Sequence, residues 1–87
     1  MARFEMNEMS AMGGEAKADV LCEMGLMYAA GRGGCEMNLV TAHKWLNIAA
    51  IKGCERAAAL RADLVECMTK AQLAQALREA REWMTMH

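Results

Sequence analysis

The chain has 87 residues, enough for one small domain that buries only about 60% of its unfolded surface, so its stability depends on dense packing, a cap or a partner. Hydrophobic residues make up 55% of it and aromatic residues only 5%, so the apolar bulk lies in Ala, Leu and Met, which favour helices. The 10 basic and 11 acidic side chains are interspersed and leave a net charge of −1, which excludes a basic footprint for nucleic acid and a polybasic membrane patch.

Residues 1–13 carry Met6, Met9 and Met12 at every third position, ahead of Gly13 and Gly14; this segment is expected to be either frayed or a short amphipathic turn. Glu5, Asn7 and Glu8 interrupt what a signal peptide would need as its apolar core. No later run reaches membrane-spanning length, so a cytoplasmic location is expected.

Residues 14–87 read as a single all-α domain of four helices, at about 15–30, 39–52, 54–67 and 70–84. In the first, Val20, Met24 and Met27 recur at helical spacing, flanked by Leu21 and Tyr28, and Gly31 is a C-terminal cap. Asn38 is placed to cap the second, in which Ala42, Trp45, Leu46, Ala49 and Ala50 form a wide apolar face that ends at Gly53. Ala57, Leu60 and Leu64 mark the third. Thr69 and Gln72 have capping-box spacing and open the fourth, with a stripe of Leu73, Leu77, Ala80 and Met84. Such short turns, two of them marked by glycine, imply antiparallel hairpins.

Gly25 in mid-helix costs about 1 kcal/mol relative to alanine, which points to a close approach by a neighbouring helix, with Ala49 and Ala50 as the expected counter-surface. Tyr28 and Trp45 would supply bulk beside that contact, each with its polar tip partnered at the edge.

The stretch from Met24 to Gly53, with "MGLMYAAGRG" followed by "TAHKWLNIAAIKG", resembles the Sel-one-like repeat, a helical hairpin related to the tetratricopeptide repeat. Met24 stands where that pattern has leucine, Gly25, Tyr28, Gly31, Gly33, Ala42, Trp45, Ala49, Ala50 and Gly53 match it, and Asn38 takes the usual acidic cap position. The terminal helix is more loosely similar to small bacterial proteins of this type. A shift by about 37 residues, within the range of helical-hairpin repeats, sets Met24 on Arg61 and Gly31 on Met68, so the glycine loop is lost from the second copy. The resulting architecture is an α-α superhelix fragment: one full repeat, a partial second and a C-terminal capping helix.

Chemistry-bearing residues are few. His43 beside Trp45 could suggest a base with an aromatic wall, but it adjoins core-facing Ala42 and is expected on the surface, without a nucleophile or acid nearby. Cys22, Cys35, His43 and Cys54 are the available zinc-type ligands, none at two-to-four-residue spacing, so they read as small packing residues. Cys54 and Cys67 lie in one predicted helix roughly 20 Å apart, beyond disulfide reach. In the disulfide-stapled members of the resembled family the cysteines fall where this chain has Leu21 and Ala50, so that pattern does not carry over. Met6, Met9 and Met12 could bind Cu(I) through thioethers, although a packing stripe is the plainer reading. The "GRGG" loop lacks the Lys-Ser/Thr of a P-loop.

Arg78 and Glu82 form an i, i+4 surface pair, whereas Arg61 replaces an apolar repeat position and should either face water at the solenoid end or meet an acidic group. The resemblance implies a non-enzymatic adaptor or scaffold, with no cofactor and no metal, that presents a helical surface to a protein partner or to a second copy of itself. About one and a half repeats is fewer than the roughly three that bury their faces unaided. Met24, Met27, Tyr28 and Arg61, or the N-terminal Met stripe, are the expected contact points. The alternatives are a thiol- or metal-handling protein that uses Cys and Met, and a small structural subunit of a larger complex.

Overall fold

The computed structural model describes residues 17–86. Among these residues the fold is all-α: helices α1 (Ala18–Ala30), α2 (Leu39–Ile51), α3 (Glu55–Val65) and α4 (Lys70–Met86). They lie where the hydrophobic periodicity places them, except that the third ends two residues early and the fourth runs two residues further. The first helix begins at Ala18, after an extended Lys17, later than the start expected at about 15, and the Met6, Met9 and Met12 stripe lies outside the described residues.

Four of the helix boundaries have a plain local cause. At the end of α1, Gly31 is left-handed (φ 67°, ψ 43°) and its N–H donates to the Met27 carbonyl, as does the Arg32 N–H at 2.9 Å. The Asn38 side chain accepts from the Thr41 N–H at 3.0 Å and so satisfies an otherwise orphaned donor at the start of α2. Gly53, at φ 110°, closes α2 in a Schellman motif: its N–H donates to Ala50 and that of Cys54 to Ala49, both at 3.0 Å. Before α4 the capping box is reciprocal, with Thr69 N–H donating to Gln72 Oε1 at 2.9 Å and Gln72 N–H to Thr69 Oγ1 at 3.1 Å.

The helices are organised around α2, which packs against all three others. α1 and α2 are antiparallel: the Asn38 N–H donates to the Tyr28 carbonyl at 3.0 Å, and further back along α1 Gly25 meets Ala42 and Leu46. α3 then returns along α2, bringing Arg61 to Asn47. α4 does not pair with α3 along its length but folds back onto α2. Ala42, His43, Trp45, Leu46, Ile48 and Ala49 are all buried on α2, so its apolar residues run around the helix, as in a helix enclosed by neighbours.

Several side chains sit differently from expectation. Gly25 packs against Leu46 and Ala42, not Ala49 and Ala50, because the antiparallel register brings it beside the earlier turns of α2; a Cβ there would lie 2.6 Å from Leu46 Cγ and 3.2 Å from the Ala42 carbonyl oxygen. Met24, expected as a contact point for a partner, is 1% exposed and belongs to the core with Leu21 and Cys22. The stripe that makes α1 amphipathic is the one that α2 covers. Trp45 is wholly buried and stacks edge-to-face on Trp83 of α4 (centroids 5.4 Å apart, planes at 80°), and its Nε1 has no hydrogen-bond partner. The expected edge partner for its polar tip is therefore missing, because α4 encloses the ring.

Candidate functional site

The apolar stripe of α4 is rotated relative to the sequence expectation. Ala76, Ala80 and Trp83, at i, i+4, i+7, face α2 and are buried, whereas Leu77 and Met84 fall on the flank and remain 41% and 36% exposed. Two small alanines let α4 approach α2 closely and the Trp45–Trp83 contact anchors it. Beside that seam the two helices leave a groove of about 460 Å³, lined by Asn47, Ile51, Leu77, Ala80, Arg81 and Met84 together with Thr85. Ile51, the last residue of α2, is 56% exposed at one edge of it. Thr85 gives its hydroxyl hydrogen to the Arg81 carbonyl at 2.8 Å, so that donor is used within the helix. Arg81 is the charged residue of the lining.

The other flank of α4 is acidic. Lys44 lies half-buried with its Nζ 4.4 Å from the centre of the Trp45 ring, a cation–π contact. Burial pulls its pKa below the ordinary lysine range, against the opposing pull of Glu79 and Glu82. The helix thus offers two unlike margins, carboxylates toward Lys44 and an apolar trough with Arg81 on the opposite side.

The partner contacts expected on α1 and α3 do not form an open face. Met27 is half-buried and sets its methyl against Gly33, while Tyr28 packs on the core near Cys35; burial, first, and that cysteine raise the Tyr28 pKa. Arg61 neither faces water freely nor meets a carboxylate: its guanidinium donates to Asn47 Oδ1 at 2.6 Å in a part-buried setting. Ile51, Leu77, Arg81 and Met84 were not singled out as a site by sequence reasoning. The available signal was the width of the α4 apolar face, which spans more than one helix can cover.

His43 corrects the surface expectation: it is 2% exposed, and its Nδ1 has no hydrogen-bond partner. Adjoining Ala42 did not turn it outward, since α2 is enclosed on several sides. Burial, followed by the nearby Arg61 charge, lowers its pKa below 6.5. The unfolded chain therefore binds this proton more readily than the folded one. Stability from this residue is complete above about pH 6.5 and is lost as the pH falls toward the lowered folded value. Urea unfolding across that window should show a decline that His43→Leu flattens; an unchanged slope in the variant would assign the acid sensitivity elsewhere.

The zinc-type candidates are dispersed: Cys22 meets Cys54, Cys35 meets Tyr28, and His43 lies near Arg61. Among the described residues no three metal-ligating side chains cluster, and no helix is long and apolar enough to cross a membrane.

Among the described residues these features define a small all-α domain in which a central helix is wrapped by three others and a grooved seam is left open between α2 and α4. No protein-family model, no curated protein and no solved structure matches the chain significantly.

Proposed function

We propose that the chain is a non-enzymatic protein-interaction module, a small adaptor built on a Sel-one-like hairpin, and that the α2–α4 groove takes an amphipathic, acidic-flanked segment of a protein partner. The observation that carries this reading is the groove itself: Ile51, Leu77 and Met84 stay 56%, 41% and 36% exposed around one trough instead of being scattered. Single exposed apolar residues are ordinary, but a contiguous set with a small-residue floor is the form used to seat an apolar helix face. The charge of the occupant follows from Arg81, the charged residue of the lining. The glycine and alanine positions of the resembled repeat support the architecture, since Gly25, Gly31 and Gly53 each perform a packing or capping task that the hairpin needs.

Two fluorescent amphipathic peptides with identical Leu/Met faces, one flanked by Glu and one by Lys, test the proposal by polarisation titration. The acidic peptide should bind more tightly, Leu77→Glu should weaken it at least about tenfold, and Arg81→Glu should reverse the preference. Equal binding of both peptides, no binding, or a concentration-dependent dimer that occupies the groove with a second copy would each overturn it.

A further inference from the structure

We propose that Cys22 and Cys54 are a modification site, a thiol pair that closes reversibly into a disulfide stapling α1 to the start of α3. Cys22 is 1% exposed on α1, whereas Cys54 is only part-buried and stands at the N-terminal boundary of α3. The two side chains interact with one another, and Cys54 packs against the core cluster to which Cys22 belongs.

Two further observations bring these elements together. Glu23, next to Cys22, pairs with Arg56, two residues beyond Cys54, at 3.3 Å. The Cys54 N–H donates to the Ala49 carbonyl at 3.0 Å, and the antiparallel register that sets Gly25 on Ala42 and Leu46 carries Cys22 toward the same later turns of α2. Neither remaining cysteine shares this neighbourhood, since Cys35 lies by Tyr28 and Cys67 is exposed beyond the end of α3.

The asymmetry in exposure gives each sulfur a different part in the exchange. With a small-molecule disulfide such as oxidised glutathione as the oxidant, the accessible Cys54 thiolate attacks one sulfur of the reagent. That forms a mixed disulfide and expels one glutathione thiolate, which takes up the proton Cys54 had lost. The Cys22 thiolate then attacks the Cys54 sulfur, the Cys22–Cys54 bond forms, the Cys54–glutathione bond breaks, and the second glutathione leaves with the proton from Cys22. Both hydrogens end on the two reduced glutathiones, and excess reduced glutathione reverses the sequence. The bond requires the two sulfurs to close to about 2 Å, and Cys54 can move because it lies at a turn and not inside a helix. Burial, first, raises the Cys22 thiol pKa, which lowers the fraction of Cys22 present as thiolate for the second step. The closed loop would contain the whole of α2, so the staple braces the central helix from the side away from the α2–α4 groove.

Equilibrating the full chain in buffers from reduced to oxidised glutathione, trapping free thiols by alkylation and mapping peptides by mass spectrometry tests this. The expected product is one intramolecular cross-link between Cys22 and Cys54, with an unfolding midpoint raised by about 10 °C. It should persist in the Cys35→Ser/Cys67→Ser double variant, whose core thiols are untouched, and vanish in Cys54→Ser. A glutathione adduct on Cys54 with no cross-link in the double variant, or cross-links through Cys35 or Cys67 in equal yield in the unaltered chain, would overturn the proposal.

Discussion

Trp45→Ala is expected to abolish cooperative folding. Trp45 is wholly buried on the helix that contacts every other one, and it makes the edge-to-face contact with Trp83 that seats α4. Truncating a buried tryptophan costs about 3–5 kcal/mol through lost transfer energy and the cavity left behind, and losing the ring pair adds about 0.5–1.5 kcal/mol. A chain of this length has a total stability of only about 4–13 kcal/mol, at roughly 0.05–0.15 kcal/mol per residue. The variant should therefore show a broad, low-midpoint urea transition with much reduced near-ultraviolet dichroism. Trp45→Phe should lose far less, since it keeps an aromatic ring and removes an indole N–H that has no partner in the fold. A cooperative transition in Trp45→Ala with a loss under about 2 kcal/mol would mean that α4 is held mainly by other contacts.

Gly25→Val is the second severe substitution, through the opposite cause. A Cβ at this position would sit 2.6 Å from Leu46 Cγ, 2.7 Å from Leu46 Cδ2 and 3.2 Å from the Ala42 carbonyl oxygen. Leu46 is 1% exposed, so its rotation is opposed by the core around it, while the carbonyl is part of the α2 backbone and moves only if the helix moves. Overpacking of this kind costs about 1–3 kcal/mol even for small additions, more than the roughly 1 kcal/mol that an alanine would gain in helix propensity. Gly25→Ala is thus expected to destabilise modestly and Gly25→Val by more than about 3 kcal/mol. A double-mutant cycle separates crowding from propensity: Leu46→Ala should relieve part of the Gly25→Ala loss, so the two changes together cost less than their sum. If Gly25→Ala were instead stabilising in thermal unfolding, the close approach of α1 and α2 would not be what requires glycine.

Both substitutions act on packing against α2, Gly25 at its contact with α1 and Trp45 at its contact with α4, and the second of these seams explains why the groove is where it is. α2 spends its apolar surface on three neighbours, and α4 meets it through Ala76, Ala80 and Trp83. Leu77, Met84 and the terminal Ile51 are then left at the margin, too far around their helices to be covered by the same contact. A partner segment seated there would extend the core that the four helices leave incomplete.

What the amino-acid sequence determined by itself is the set of local decisions. Gly31 and Gly53 stop helices because a left-handed residue is needed there, Asn38 starts one by accepting from Thr41, and Thr69 with Gln72 starts another; each involves atoms within a few residues of chain. The requirement for a close approach at Gly25 was also legible, since a mid-helix glycine is otherwise a cost. Only the tertiary structure decided which surface made that approach, because Ala42 and Leu46 rather than Ala49 and Ala50 meet it through the register of two antiparallel helices. It likewise buried His43 and Met24, gave Arg61 an amide for a partner, and turned α4 so that Ala76, Ala80 and Trp83 face inward while Leu77 and Met84 flank the groove. The physical reason is that helical periodicity specifies an apolar face about its own axis, whereas the neighbours that cover that face, and the part they leave open, depend on how all four helices divide one small core.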